Sequence, residues 1–439
     1  MQIARLTLLL LLATPLPGRA ESLEDAWKIA LAGNPALAAS QSQQEAAHAR
    51  QAAADALDWP SLNLSATAFQ LSSPPGAALD TSALAARVAH TPFAALVPNE
   101  VDMRLADRNI HVANLALTYP LFTSGRITAM QHAATAGVAL ADANETTQRQ
   151  TLKLNVAEQY INVLRAQMAL DVAQQYRESL AAHQADVLAM EKQGLAAPVE
   201  RLTATVAVAE ADRKVIDARQ GLALAQSAYN RLLARPLDSP TELAPIAALH
   251  LPDAEAELSA RAHAHRPELL ALDAGKTALD AQARAIRGQD GPQVALQAMQ
   301  VQWHGLQTVE NHTSTVGVTL SWSLFDAGSN RKQAAAVSAE ARAAALQHAD
   351  ALSLIQLDVR HALLDTQAAR ARLSVAISAD DAASEALRLM RSRYRNGLAT
   401  QTEALAAETR LADARRAHRD ADLDIQLAEL RLARAIGEL

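Results

Sequence analysis

Leu121–Gly125 reads Leu-Phe-Thr-Ser-Gly, and Leu324–Gly328 reads Leu-Phe-Asp-Ala-Gly, a repeat shifted by 328 − 125 = 203 residues. Between Gly125 and Gly194 the chain has no proline and is rich in alanine, leucine, glutamine, glutamate and arginine, which favour helices. The stretch predicts one helix of ~100 Å at ~1.5 Å per residue. Because a helix of that length cannot be buried in a globular core, it must lie beside other long helices.

The far ends of the two repeats also match. Lys192–Ala196 reads Lys-Gln-Gly-Leu-Ala, and Arg395–Ala399 reads Arg-Asn-Gly-Leu-Ala, again shifted by 397 − 194 = 203 residues. Glycine adopts positive φ at little cost, as a tight turn between helices requires. The pattern therefore predicts two long helical hairpins, over residues 125–234 and 328–437.

Alternating residues ahead of each long helix predict two strands in each repeat. The strand hairpins are expected over residues 61–121 and 293–324, with residues 71–111 as a surface loop that holds a short helix over 82–88. Tyr119 and Trp322 occupy equivalent positions in the two repeats, at 322 − 119 = 203. Each lies near the end of a strand with an apolar face, where aromatic residues are typical of a membrane interface. The alternative is an ordinary sheet with one buried face.

Each repeat begins with a helix that a proline interrupts, at Pro35 and at Pro267, because the residue before proline disfavours helical backbone. We therefore expect a first repeat over residues 21–234 and a second over residues 258–439. Residues 235–257 contain four prolines and are expected to be the linker between them.

The start of the chain and its composition indicate export. Arg5 precedes the apolar run Leu6–Leu12, and small residues follow it, so residues 1–20 are expected to be a signal peptide. The net charge of −7 argues against a nucleic-acid-binding protein. The chain has 0 cysteines, which excludes disulfides and an N-terminal lipid anchor. No later apolar run reaches about 18 residues, so any entry into a membrane would use strands.

The long helix carries two apolar seams about 130° apart at 100° per residue. The seams comprise Leu154, Ala157, Ile161, Leu164 and Met168, and Leu152, Val156, Tyr160, Val163 and Leu170. A helix with two seams touches a neighbour on each side, which favours a row of helices that closes as a tube. Four strands per chain likewise cannot close a barrel, so two chains would supply eight strands and three would supply twelve.

Two repeated features resemble those of the TolC family of outer-membrane efflux proteins. They are the Leu-Phe-x-x-Gly stretches before the long helices, at 121–125 and 324–328, and the Gly-Leu-Ala turns at 194–196 and 397–399. The resemblance covers residues 22–439. It implies a mainly α chain with a small β part, in which a homotrimer builds a 12-stranded transmembrane β-barrel, four strands per chain, and an elongated tunnel of coiled helices. It also implies a location in the bacterial outer membrane, with an extension into the periplasm. The implied function is a passive exit duct that joins a periplasmic adaptor protein and an inner-membrane pump.

The resemblance places the adaptor-docking tips at the two turns, in Gly194, Leu195, Ala196, Gly397, Leu398 and Ala399. Exposed leucines on a turn often mark an interface, although they can also simply cover the hairpin ends. The resemblance further places Glu403 at a closed aperture; a second acidic position of the family pattern is Ala406 here.

Charged residues near the turns suggest how the tip is held shut. The second repeat has a group of mostly basic residues just before its turn: Arg388, Arg391, Arg393, Tyr394 and Arg395. The first repeat has acidic residues at similar distances from its own turn: Asp186, Glu191 and Glu200. We hypothesise that pairs between these two groups form a gate. The alternative is a solvated charged surface, because exposed pairs contribute only ~0–1 kcal/mol each.

No catalytic, cofactor-binding or metal site is predicted. His263 and His265 are two residues apart and would not share a helix face, and the other histidines are scattered. The chain is therefore not expected to be an enzyme. The alternative to a duct is a secreted coiled-coil structural or adhesive protein without a pore.

Overall fold

The computed structural model describes residues 20–247, 249 and 251–439. The predicted signal peptide therefore lies outside the described residues, except for Ala20. In this described part of the chain, no helix has the length and apolarity needed to cross a bilayer.

The two longest helices of each repeat match in length. Two 67-residue helices are each followed by a 35-residue helix. The bounds are α1 Leu23–Gly33, α2 Pro35–Asp55, α3 Ser82–Val88, α4 Arg126–Lys192, α5 Pro198–Leu232, α6 Glu255–His265, α7 Pro267–Gly288, α8 Ser329–Arg395 and α9 Gln401–Ala435. The breaks before Pro35 and Pro267 occur as predicted, because Asn34 and Arg266 both adopt extended backbone.

The strands are β1 Ser61–Gln70, β2 Gly76–Asp80, β3 Glu100–Arg104, β4 Ala106–Phe122, β5 Gln293–Leu306 and β6 His312–Ser321. Four of them form an antiparallel sheet in the order β1-β4-β5-β6. The two repeats therefore meet at the β4–β5 pair. One row across the sheet joins Leu62, Leu117, Ala298 and Val316, so this row is apolar on all four strands.

The long loop of the first repeat contains the expected short helix, α3. It also contains a small antiparallel hairpin, β2–β3, which the sequence did not predict. Every residue of both strands is exposed, so the hairpin has no buried face and no alternating pattern to reveal it.

Both long helices begin after the same backbone turn. Ser124 and Gly125 have positive φ, and Ala327 and Gly328 repeat this conformation. The Ser124 hydroxyl donates a hydrogen bond to the carbonyl of Pro292 over 2.7 Å. The repeated Leu-Phe-x-x-Gly stretch therefore encodes a change of direction from strand to helix.

The chain divides into two compact units that cut across the repeats. One unit comprises residues up to Glu45, Leu140–Leu272 and Leu346–Leu439; the other comprises Ala46–Ala139 and Asp273–Ala345.

The first unit has its core around α4, whose two predicted seams are both buried or partly buried there. The hydroxyl of the buried Tyr160 donates to the carbonyls of Glu21 and Ala244, and the ring packs edge-on against Tyr229 at 6.0 Å.

Candidate gate and docking surface at the helical turns

The two turns have one geometry. Gly194 has φ +73° and Gly397 has φ +69°. The amide of Leu195 donates to the carbonyl of Met190 over 2.9 Å, and that of Leu398 donates to Arg393 over 2.8 Å. Because a Cβ added to either glycine would meet nothing within 4 Å, backbone conformation rather than space requires glycine here.

The tips of the two turns present their leucines to solvent. Leu195 and Leu398 are each 68% exposed. The neighbouring Ala196 and Ala399 instead pack against a small core below the turns. Two equivalent apolar side chains therefore mark the ends of the hairpins, in the positions predicted for adaptor docking.

That small core joins the two hairpins of one chain. It contains Val187 from α4, Ala204 from α5, Tyr394 from α8 and Ala404 from α9. All four helices therefore contribute to one cluster, and loss of this cluster would let the hairpins separate.

Tyr394 links the hairpins through its hydroxyl group, which donates to the Glu200 carboxylate over 3.1 Å. The side chain is 5% exposed. Burial raises the pKa of Tyr394 to about 12, so the hydroxyl keeps its proton at neutral pH. Gln401 of α9 adds a second bond, to the carbonyl of Glu200 over 2.8 Å.

Arg395 forms a second side-chain link, to Asp186 of α4 over 2.8 Å. Both side chains are substantially exposed, so the pair contributes at most about 1 kcal/mol. It sets the register of the hairpins more than their stability.

Arg391 contributes to a partly buried network. It pairs with Glu408 of its own hairpin over 2.6 Å and also hydrogen-bonds the hydroxyl of Ser179 on α4. That hydroxyl in turn donates to Glu408 over 2.6 Å. Glu408 is only 3% exposed, so its charge depends on these partners.

Sequence reasoning missed Glu408 and also His183. The His183 side chain is 6% exposed, and its ring lies 5.1 Å from that of Tyr394. Its Nε2 atom is buried without a hydrogen-bond partner. Burial lowers the pKa of His183, against the attraction of Glu408 and other nearby carboxylates. One histidine among 13 carries no sequence signal for this placement.

Glu403 has a different environment from the other predicted gate residues. Its carboxylate accepts hydrogen bonds from the backbone amide of Thr400 over 2.7 Å and from the Thr400 hydroxyl over 3.0 Å. These two residues form the capping box of α9. The backbone hydrogen bond from Thr400 lowers the pKa of Glu403.

The remaining charged residues near the turns pair locally. Glu191 binds Arg201 within the first hairpin over 3.1 Å, and Arg388 binds Glu385 on the same helix over 2.7 Å. Arg393 donates to the carbonyl of Leu398. Of the charged groups predicted near the turns, Asp186 and Glu200 are therefore the acids of the first hairpin that Arg395 and Tyr394 reach.

The two predicted interface aromatics lie on the sheet of the other unit. Tyr119 is exposed on β4 opposite Leu296 of β5. Trp322 is exposed directly after β6, and its indole nitrogen donates to the carbonyl of Asp290 over 2.9 Å. β5 separates the two strands that lead to these residues, so the aromatics are not neighbours.

A family model described as outer membrane efflux protein matches residues 27–235 and 258–438. The chain belongs to the outer membrane efflux protein family. It is therefore an outer-membrane efflux channel. Membership in a family of transport conduits also fits the prediction that it is not an enzyme. Among the described residues, no group of three or more histidine, aspartate, glutamate or cysteine side chains is placed to hold a metal.

Solved structures show the same fold. VceC from Vibrio cholerae is similar at 19% identity and a TM-score of 0.76, over 94% of this chain and 96% of that chain. The outer-membrane channel OprN is similar at 20% identity and a TM-score of 0.76, over 95% of this chain and 90% of that chain. The CmeC channel from Campylobacter jejuni is similar at 14% identity and a TM-score of 0.76, over 95% of this chain and 85% of that chain. No curated protein matches the chain.

Proposed function

We propose that three copies of this efflux channel form the exit duct of a tripartite efflux or type I secretion system. The duct is passive and docks a periplasmic adaptor, and through it an inner-membrane pump. The observation that carries the proposal is that a single chain leaves apolar stripes on two long helices, and an apolar sheet face, without partners.

The helical stripes lie on α5 and α8. Leucine, isoleucine and valine recur on one face of each helix and are exposed in the single chain. The stripe residues are Val199, Leu202, Val206, Ile216 and Leu224 on α5, and Leu354, Leu357, Leu364, Val375 and Leu389 on α8. Such continuous apolar stripes on long helices favour packing against another helix. Because the two stripes lie on different helices, packing of the α5 stripe of one copy against the α8 stripe of the next would be a head-to-tail contact, which forms a ring when the rotation between copies closes.

The sheet favours three copies over two. β1 and β6 are the edges of the four-stranded sheet, and an open edge is not tolerated within a bilayer. Two copies would supply eight strands, and side chains fill the interior of a barrel of that size. Three copies would supply twelve strands, which leave a lumen. Leu62, Leu64, Val316 and Val318 are all exposed on one face, as a surface toward lipid requires.

The bonds between the hairpins support a gate at the turns. Tyr394–Glu200 and Arg395–Asp186 join the second hairpin to the first. We propose that these links keep each subunit's hairpins together in the closed duct. Displacement of one hairpin, triggered by an adaptor on Leu195 and Leu398, would widen the passage.

Two variants separate assembly from docking. Leu357→Glu introduces a charge into the α8 stripe, and we expect the trimer to dissociate, which the native mass of the detergent-purified protein measures. Leu195→Asp combined with Leu398→Asp changes only the exposed tips. We expect trimers to persist while site-specific crosslinking to the adaptor is lost. A monomeric wild type, or unchanged crosslinking in the tip variant, would contradict the corresponding part of the proposal.

A further inference from the structure

A basic depression lies where β4 passes into α4 and α7 passes into β5. It has a volume of about 480 Å³ and belongs entirely to the unit that contains the sheet. Two arginines and one histidine line it, and no acidic residue does. Such a lining favours an anionic ligand. The lining residues are Ser124, Gly125, Thr128, Ala129, His132, Arg284, Arg287 and Gly288.

The two arginines of the depression have charges that the surrounding chain does not neutralise. Arg284 and Arg287 are three positions apart on α7, so they share one helix face, and both are exposed. The acids nearest to them along the chain bind other partners, in the pairs Asp280–Lys276 and Asp290–Asn330. Within the part of the chain that the structure describes, neither arginine has a carboxylate partner, so both guanidinium groups can bind a ligand.

The backbone fixes the walls of the depression. A Cβ on Gly288 of α7 would lie 3.0 Å from the backbone of Arg126 at the start of α4, so the two helix ends are in close contact. The amide group of Gln293 donates to the carbonyls of Thr123 over 3.2 Å and of Gly288 over 2.9 Å. The end of α7 is therefore held against the start of α4, and the depression is present without a ligand.

The depression opens on the side of the sheet face that carries Leu62 and Leu117. The Leu71 amide donates to the carbonyl of Arg108, so the odd-numbered residues of β4, which lie on that face, direct their backbone groups to β5. For L-residues, this places β5 and the α7 helix that leads into it to the left of β4 and α4, when that face is viewed with the helices downward. At about 100° per residue from Arg126, which touches α7, the α4 residues of the depression then face the viewer.

The depression also lies at the level of exposed aromatic side chains. All four strands of the sheet join helices at this end, which is the periplasmic side of the channel. Tyr119 and Phe122 are exposed directly before Ser124, and Trp322 and Phe325 are exposed after β6. Aromatic residues at the strand ends of an outer-membrane barrel mark the membrane interface, where lipid phosphates supply the negative charge.

Neighbouring copies of the chain would leave the depression open. α4 and α7 are joined to β4 and β5, the two central strands of the sheet, whereas β1 and β6 are its edges. Copies that join at these edges therefore meet away from the depression.

We propose that the basic depression binds the phosphate group of an anionic phospholipid in the leaflet that faces the periplasm. Arg284 and Arg287 donate to the phosphate oxygens, because the planar guanidinium group matches them in a two-pronged geometry. The hydroxyl of Thr128 adds a neutral donor, and the acyl chains lie along the exposed Leu121 and Phe122. The inference rests on the proposed placement of the sheet in the bilayer.

The test counts lipids bound to the detergent-purified full chain by native mass spectrometry. Phosphatidylglycerol is the probe, and phosphatidylcholine with the same acyl chains is the zwitterionic reference. The wild type should bind phosphatidylglycerol in preference and unfold at a higher temperature in its presence. Arg284→Gln combined with Arg287→Gln should weaken this binding at least about tenfold. Because glutamine is a good helix former, the lipid-free unfolding temperature should not change.

The double variant Arg331→Gln with Arg342→Gln is the matched control. It removes the same charge from exposed positions of α8 in the same unit, outside the depression, and should keep the lipid preference. An equal loss in the control, or a preference that survives in Arg284→Gln with Arg287→Gln, would overturn the proposal.

Sodium phosphate separates a lipid site from a site for a soluble anion. Stabilisation by sodium phosphate that requires the two arginines, without a preference for phosphatidylglycerol, would overturn the lipid assignment. Planar-bilayer recordings separate this inference from the proposed duct. A wild type that conducts but shows no lipid preference would overturn the lipid site alone. A wild type that keeps the preference and does not conduct would support the lipid site and contradict the duct.

Discussion

Glu200 and Glu403 occupy the same position in the two repeats, at 403 − 200 = 203, yet the structure uses them differently. Glu403 caps its own helix through Thr400. The equivalent of Thr400 in the first repeat is Ala197, whose methyl group cannot form a capping hydrogen bond at the start of α5. Glu200 is therefore left to accept the hydrogen bond from Tyr394. The residue three positions earlier therefore decides whether a glutamate caps its own helix or joins the two hairpins.

The largest expected effect comes from Arg391→Glu, which extends the comparison to a third acidic residue. The change removes the cation beside the buried Glu408 and adds a second carboxylate. Arg391 also hydrogen-bonds Ser179 of the first hairpin, so the change removes a contact between the hairpins and leaves Glu408 buried without its cation. The loss is about 3 kcal/mol at most, because Arg391 itself is partly exposed and solvent screens the pair. We expect the strongest increase in open probability in single-channel recordings.

Arg388→Glu is the matched control for that variant. Arg388 pairs with Glu385 on the same exposed helix surface, so its replacement should leave open probability unchanged. Equal effects of the two variants would mean that net charge near the turns, rather than the Glu408 network, holds the hairpins.

Glu200→Ala and Glu403→Ala test the comparison directly. Glu200→Ala removes a hydrogen bond to a charged acceptor, with a loss of about 1.5–3 kcal/mol between hairpins. Tyr394→Phe should raise open probability in the same way, because it removes the donor and keeps the ring. Glu403→Ala should weaken the capping box of α9, visible as a slightly lower unfolding temperature, without more frequent opening. If Glu403→Ala opens the channel as readily as Glu200→Ala, the two glutamates are not used differently.

Ala197→Thr should convert the first turn into a copy of the second. The new hydroxyl would recruit Glu200 into a capping box, an effect of about 1 kcal/mol, and so weaken its bond to Tyr394. We expect a rise in open probability smaller than that of Glu200→Ala, together with a slightly higher unfolding temperature. A fall in open probability would show that cap formation and the link to Tyr394 do not compete.

The smallest effect is expected from pH. Burial lowers the pKa of His183 although Glu408, Asp186 and Glu200 attract its protonated form and Arg391 opposes it. The closed tip therefore favours the neutral ring, and this preference is fully present above the ordinary histidine value of about 6.5. As pH falls below that value, protonation should favour opening. His183→Gln should flatten this dependence, whereas His418→Gln, at a site bonded to Asp380, should retain it.

Much of the fold follows from sequence periodicity. The long helices begin at Arg126 and Ser329, each one residue after the repeated glycine that the sequence marks. The β2–β3 hairpin was missed because neither strand buries a face. The site was predictable only in part: a repeat can align Glu200 with Glu403, but their partners depend on how the two hairpins pack. His183 and Glu408 were missed for the same reason.

We propose that bonds between the two hairpins of each chain keep the duct closed. The most direct measurement is single-channel conductance of the purified protein in planar bilayers, for the wild type and for Tyr394→Phe combined with Arg395→Glu. We expect small, rare openings in the wild type and larger, sustained conductance in the variant. A protein that inserts but conducts in neither form, or a variant identical to the wild type, would contradict it.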